Sequence, residues 1–246
     1  FKLGIDALLV FLAGGCLDLA DDGLPYAPLI EGLRGLGRTL GPAELQALLG
    51  PAAGDLRRML PGLGPLPGLP VADPAGPAGS GAGSGDDPGS PSHLDQARLY
   101  ELILGLFRGL SGDGPGVVVV EDLHWVDRAT QDLIRFLVRN LSTERVLLVL
   151  TVRTDGLARG DAVAAWLAGL ERDPGTVRLD LAPLDLGAVT RLLEAVAEAP
   201  VEPVLVERIH ARAGGNPYFV EELFNWERSG ARGPLPRTLT ETLIAQ

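Results

Sequence analysis

VVVVEDLHWVD, residues Val117–Asp127, is the stretch from which the rest of the chain can be laid out. Four consecutive valines cannot alternate between core and solvent, so they predict a short strand buried on both faces, as the parallel strands of α/β proteins are. Two carboxylates, Glu121 and Asp122, follow at its end. In an open α/β sheet ligands bind beyond the carboxyl ends of the strands, so this pair would face a crevice able to take a metal ion or a phosphate. The same spacing also suits a buried strand whose acidic end is merely solvated or caps the next helix.

The composition narrows the classes of function. A length of 246 residues gives room for one α/β core and a smaller appendage, and 46% hydrophobic residues are ample for a core. A net charge of −11 and a sequence pI near 4.7 argue against nucleic acid held by these residues, because non-specific DNA affinity comes mainly from Lys and Arg neutralising phosphates. Cys16 is the only cysteine, which rules out an intrachain disulfide and a cysteine-rich zinc site and suits a reducing cytoplasm. No apolar run reaches the ~18 residues of a membrane span, and the N-terminus lacks the plan of a signal peptide. Lys2 is the only lysine, and nothing matches the phosphate-cradling pattern GxxxxGK(S/T). The start at Phe1 and the end at Gln246, inside an apparent helix, read as cuts at both ends.

Outward from the valine strand, the other elements follow from periodicity and punctuation. Ala7–Ala13 is a first buried strand candidate, closed by Gly14 and Gly15, and a helix follows over Ala27–Leu36. Pro42 opens another helical stretch, continued to Leu60 with a break at Gly50-Pro51. Residues 61–91 hold so little apolar side chain that ordering them could not be offset, so they predict a disordered insertion. His93–Leu110 returns to helical period, and Asp127 is a suitable N-cap for a helix over Arg128–Leu141. His124 and Trp125 sit in the connecting loop, and His124 is assigned no chemistry. Arg145–Thr151 is the next buried strand, Ala162–Glu171 a helix, and Val177–Leu181 a shorter strand expected to close the sheet. Past Pro183 three helices are expected, one capped by Asp185, one started by Pro203 and one opened by Asn216 and Pro217 as N-cap and first-turn residue, with Gly214-Gly215 ending the second.

Taken together in order, EDLHWVD, VLLVLTVRTDGL, AGGNPYFVEELF and the earlier CLDLADDGLPYAPLIEGLR resemble the ATPase domain of the STAND class, a NACHT- and AAA-like group. The likeness is strongest to the large ATP-binding LuxR-type transcriptional regulators of actinobacteria. VVVVED resembles a Walker B element. The resemblance implies ATP and Mg²⁺ as cofactors, with Glu121 and Asp122 as metal ligands and catalytic acids and Asp122 helping to position water. It also implies nucleotide contacts from Thr151 and Arg153, which close the neighbouring strand, and from Gly215 and Pro217 beside the base. Guanidinium suits the terminal phosphate, although Arg153 could equally pair with Asp155 or another surface acid.

The expected architecture is a P-loop NTPase-type α/β three-layer sandwich with a parallel sheet lacking its first strand. Residues 1–182 would form this incomplete core, 183–230 a small helical lid, and 231–246 the start of a truncated winged-helix domain. The expected function is a cytoplasmic ATP-binding switch of a signal-responsive transcription regulator, in which Mg-ATP controls core–lid closure. DNA would be contacted only through a further C-terminal domain, and self-association or an effector protein would complete the partners. The alternatives are a non-catalytic interaction module on the same fold, or an ATPase domain fused to a nucleotide cyclase or protein kinase. Without a P-loop, the chain by itself is expected to be inactive.

Overall fold

A computed structural model describes residues 10–16, 25–50, 52–65, 93–110, 115–141, 143–154 and 161–229. The chain divides into two compact units, Phe1–Val177 and Arg178–Gln246.

In the first unit the strands β1 (Val10–Gly15), β2 (Gly116–Glu121) and β3 (Val146–Leu150) form a parallel sheet in that spatial order. Leu12 lies opposite Val118, and Val118 opposite Leu148. Parallel neighbours need long crossovers, and helices supply them. α1 (Ala27–Thr39), α2 (Pro42–Leu49), α3 (Ala52–Met59) and α4 (His93–Leu110) lie between β1 and β2. α5 (Arg128–Asn140) joins β2 to β3, and α6 (Ala162–Leu170) follows β3.

The sheet is covered by helices on the side that alternate residues of β2 face. Val118 belongs to one core cluster with Leu33 of α1, Leu45 of α2, Leu56 of α3, Ile103 and Phe107 of α4 and Leu133 of α5. Val120 joins a separate cluster with Cys16, Leu123, Ile134, Trp166 and Leu170. Each such fully buried Leu, Ile or Phe contributes about 1.5–3 kcal/mol relative to exposure. The expectation that the valines are buried on both faces is therefore corrected. Val117 and Val119 are only half-buried, and Leu147, in register with Val117, is 60% exposed. Side chains alternate between the two sides of a strand, so cover supplied to one side does nothing for the other.

Two further expectations meet a different outcome. Residues 177–181 form no strand, and Val177, Leu179 and Leu181 are 80%, 81% and 94% exposed. Alternation alone yields an extended segment, because strand propensity reports packing against neighbours that this segment lacks among the described residues. Arg178 pairs with Asp180 of the same segment at 2.8 Å. The segment 61–91, expected to be disordered, begins with a packed 3-10 turn, Pro61–Leu63, in which Leu63 is buried. Arg34 of α1 holds that turn by donating to the carbonyls of Gly62 and Leu63. Residues 66–91 lie outside the described residues, as do 231–246.

The second unit is built on α7 (Leu186–Ala197), α8 (Pro203–Ala213) and α9 (Pro217–Arg228). Its core joins Val189, Leu193, Val206, Ile209, Phe219 and Leu223. The caps are those the sequence announces. Asp185 accepts from the Ala188 amide at 2.7 Å and Asn216 from the Tyr218 amide at 3.0 Å, with Pro217 at the first helical position. No helix among the described residues is long and apolar enough to cross a membrane.

At Gly14, β1 and α1 meet closely. A Cβ there would run into the carbonyl oxygen of Pro28, a backbone atom held by α1, whereas a Cβ at Gly15 would meet only the Glu31 carboxylate at 3.8 Å. Gly14→Ala should therefore lower folding stability by about 2 kcal/mol or more, and Gly15→Ala by under about 1 kcal/mol. Urea denaturation of the two variants checks the contrast, and equal losses would show that α1 does not bear on Gly14.

Candidate functional site

The carboxyl ends of the three strands bring together most of the residues singled out in the first unit. β2 ends at Glu121, whose side chain is exposed and whose carbonyl accepts the Cys16 amide at 2.9 Å. Asp122 then takes a left-handed conformation, φ 57° and ψ 44°, and leads into a 3-10 turn over Leu123–Trp125. For a residue with a Cβ this conformation costs roughly 1 kcal/mol, and Asp is among the few side chains that adopt it with any frequency.

The end of β3 fixes that turn. Thr151 donates its amide to the Val120 carbonyl at 3.0 Å and accepts the Leu123 amide on its own carbonyl at 2.9 Å. Its hydroxyl accepts the Asp122 amide at 3.2 Å. Two residues of the expected site, Asp122 and Thr151, are thus directly bonded. The Asp122 carboxylate is 45% exposed, so it is available to a ligand. Arg153 follows two residues on and is exposed at the same end of the sheet.

Other groups at these strand ends were not read as functional from the sequence. His124, assigned no chemistry, is largely buried with Nδ1 3.9 Å from Asp122 Oδ1 and without a hydrogen-bond partner, its ring against Trp125 at 4.3 Å. An orphaned ring nitrogen beside a carboxylate is unusual in a folded interior, where buried polar atoms are nearly always bonded. Cys16 is buried, and its thiol is pushed up to about 12, first by burial and then by the charges of Asp127 and Asp122. Asp127 itself is occupied as the cap of α5, accepting the Thr130 amide at 2.9 Å. Gly14 and Gly15 belong to β1, and the Gly15 amide donates to Glu31 Oε2 at 2.8 Å. A carboxylate of the chain already takes that amide.

Gly215 and Pro217 belong to the second unit. Gly215 has φ 78°, and a Cβ on it would collide with the Leu184 backbone, whose amide donates to the Gly215 carbonyl at 2.8 Å. Its identity is thus fixed by backbone approach and by the left-handed turn after α8. Pro217 lacks an amide at a position where a helix leaves amides unpaired.

The donor set at the end of β2 suits Mg²⁺. Two carboxylates with exposed oxygens are what a hard cation takes when phosphate and water complete its shell, and no group of three or more His, Cys, Asp or Glu able to hold a metal occurs among the described residues. A cavity of about 30 Å³ under the sheet, walled by Pro28, Phe107, Val118 and Leu148, is almost wholly apolar and is packing space.

A family model described as an AAA ATPase domain matches residues 5–150, more than half of the chain. An uncharacterised protein of Rhizobium meliloti (strain 1021) is 29% identical over 154 residues, covering 61% of this chain and 14% of that protein. This chain therefore spans only a small part of that relative's length. No solved structure matches.

The Cys16 environment makes a prediction about pH. A native thiol titrating at about 12, against 9.0 for an unperturbed one, keeps its proton where the unfolded chain has lost it. The native state then binds more protons between those values, so folding stability should be flat below about pH 9 and fall as pH rises toward 12. Cys16→Ala should remove that component of the slope. Reaction with a thiol reagent at pH 8 should require unfolding, and rapid labelling of the native chain would contradict the burial.

Proposed function

The chain belongs to the AAA ATPase domain family, a nucleotide-binding class, and on that premise we propose that it is the Mg-ATP-dependent switch module of a cytoplasmic, signal-responsive transcription regulator of the STAND, LuxR-type kind. The observation that carries the reading is the meeting of Glu121, Asp122 and Thr151, with Arg153 close by in the chain, at the carboxyl ends of two adjacent parallel strands. That is where an open α/β sheet receives its ligands.

Bound Mg²⁺ would neutralise charge on the phosphates during transfer to water. Glu121 and Asp122 offer the carboxylates that hold it, and Asp122, fixed at its backbone, is the better placed to orient a water molecule. Arg153 brings a permanent, planar positive charge suited to the terminal phosphate. Gly215 and Pro217 are the second unit's candidates for contact with the base. Because the chain carries net charge −11, contact with DNA belongs to another part of the protein, and effector binding or self-association would supply the signal.

One sequence observation favours a second reading. Nothing in these residues matches GxxxxGK(S/T), which suits a non-catalytic interaction module on the same fold. The two readings separate on activity in the native reading frame. Glu121→Gln and Asp122→Asn should each lower ATP hydrolysis by about ten-fold or more while leaving the fold intact. Wild-type turnover in the double variant would remove both residues from the reaction.

Arg153 gives an independent test. Arg153→Ala should weaken ATP binding more than ADP binding, because the added phosphate is the partner proposed for it. Calorimetric titration with each nucleotide measures the difference, and equal losses would assign Arg153 to structure.

A further inference from the structure

The Nδ1 atom of His124 is buried and has no hydrogen-bond partner among the described residues. A polar atom that has lost water and gained no bond costs free energy, so a nitrogen kept in that condition calls for a reason. Asp122 Oδ1 lies 3.9 Å from it. A hydrogen bond from a ring N–H to a carboxylate spans about 2.8 Å, so the two atoms stand roughly 1 Å short of bonding.

The ring is the fixed member of this pair. Its backbone is the middle of the 3-10 turn Leu123–Trp125, tied by the Trp125 amide donating to the Asp122 carbonyl at 3.0 Å and the Val126 amide donating to the Leu123 carbonyl at 3.2 Å. Leu123 is fully buried, and the Trp125 ring lies against the imidazole with centroids 4.3 Å apart. The His124 side chain is 15% exposed and the Asp122 side chain 45%. The carboxylate therefore reaches from the buried ring to solvent, and rotation about its own side-chain bonds can close the gap. Carboxylates that ligate a metal are themselves held by hydrogen bonds, which set their direction.

We propose that His124 is a positioning residue for Asp122: Nδ1–H closes onto Oδ1 when a divalent cation engages the carboxylate, and so fixes the direction from which that carboxylate meets the ion. Closure satisfies the buried nitrogen and the carboxylate together. The inference rests on the Mg-ATP reading above. Phenylalanine at this position keeps a ring against Trp125 and has no nitrogen to leave unbonded. Asparagine can place an amide N–H where Nδ1 stands.

Stability and metal binding should move in opposite directions. In the 246-residue chain without metal, His124→Phe should melt at or above the wild-type temperature, because it removes an unbonded polar atom. In the native reading frame with a slowly hydrolysed ATP analogue, Mn²⁺ binding read from the electron paramagnetic resonance of the free ion should weaken about ten-fold in His124→Phe and stay within about three-fold of wild type in His124→Asn. Binding of the analogue without metal should be unchanged in both. The effect of His124→Phe on Mn²⁺ should vanish in an Asp122→Ala background, since the two residues act through one bond. A melting temperature lowered by more than about 3 °C in His124→Phe would make His124 a support of the fold and overturn the proposal. Unchanged Mn²⁺ affinity in that variant, no recovery in His124→Asn, or losses additive with Asp122→Ala would overturn it as well. A wild type that binds the analogue but takes up no Mn²⁺ with it would instead overturn the Mg-ATP reading, and the role of His124 with it.

Discussion

Three hydrogen bonds at Thr151, one donated to Val120 and two accepted from Leu123 and Asp122, tie the end of β3 to the turn that leaves β2. The arrangement of the strand ends depends on that tie. It carries the sheet register one residue past the last strand position of β3, and it holds a left-handed residue without a glycine. It also fixes where α5 begins, because the 3-10 turn delivers Asp127 to its capping position four residues after Leu123. The acids at this end of the sheet thereby divide into two kinds. Asp127 is consumed by its helix, whereas Glu121 and the Asp122 carboxylate are left facing outward.

The two outer strands of the sheet are treated differently. At β1 the Gly15 amide is taken by Glu31, and α1 presses onto Gly14, so the end of that edge is covered by its own chain. Among the described residues β3 is bonded only to β2, and its five residues, VLLVL, carry no charge, proline or bulge of the sort that usually protects an edge. Its composition is that of an interior strand. The half-buried residues of β3 and the exposed Leu147 belong to the same imbalance, since among the described residues one side of the sheet has helices over it and the other has far less cover.

Local chemistry was legible in the sequence, and long-range contact was not. The starts of α5, α7 and α9 were readable from Asp127, Asp185 and Asn216-Pro217, because a cap acts on amides two or three residues away. Leu99, Ile103 and Phe107 were readable as core from helical period alone. VRLDL misled because alternation states a preference and pairing needs a neighbour. The run of valines misled in a similar way, since hydrophobicity does not reveal how many sides of a sheet will be covered. At the site, the acidic pair could be found from its place after a strand. The bond from the Asp122 amide to Thr151 and the burial of Cys16 within reach of the charges of Asp127 and Asp122 join residues up to 111 positions apart, and no local pattern encodes them.

The central claim, that the ends of β2 and β3 handle Mg-ATP, can be tested by locating the metal. Crystals of the protein in its native reading frame, grown with Mn²⁺ in place of Mg²⁺ and a slowly hydrolysed ATP analogue, would give an anomalous signal at the ion. The account predicts that signal beside the carboxylates of Glu121 and Asp122, with the phosphate chain directed toward Arg153. A nucleotide bound with its metal remote from both carboxylates would contradict it.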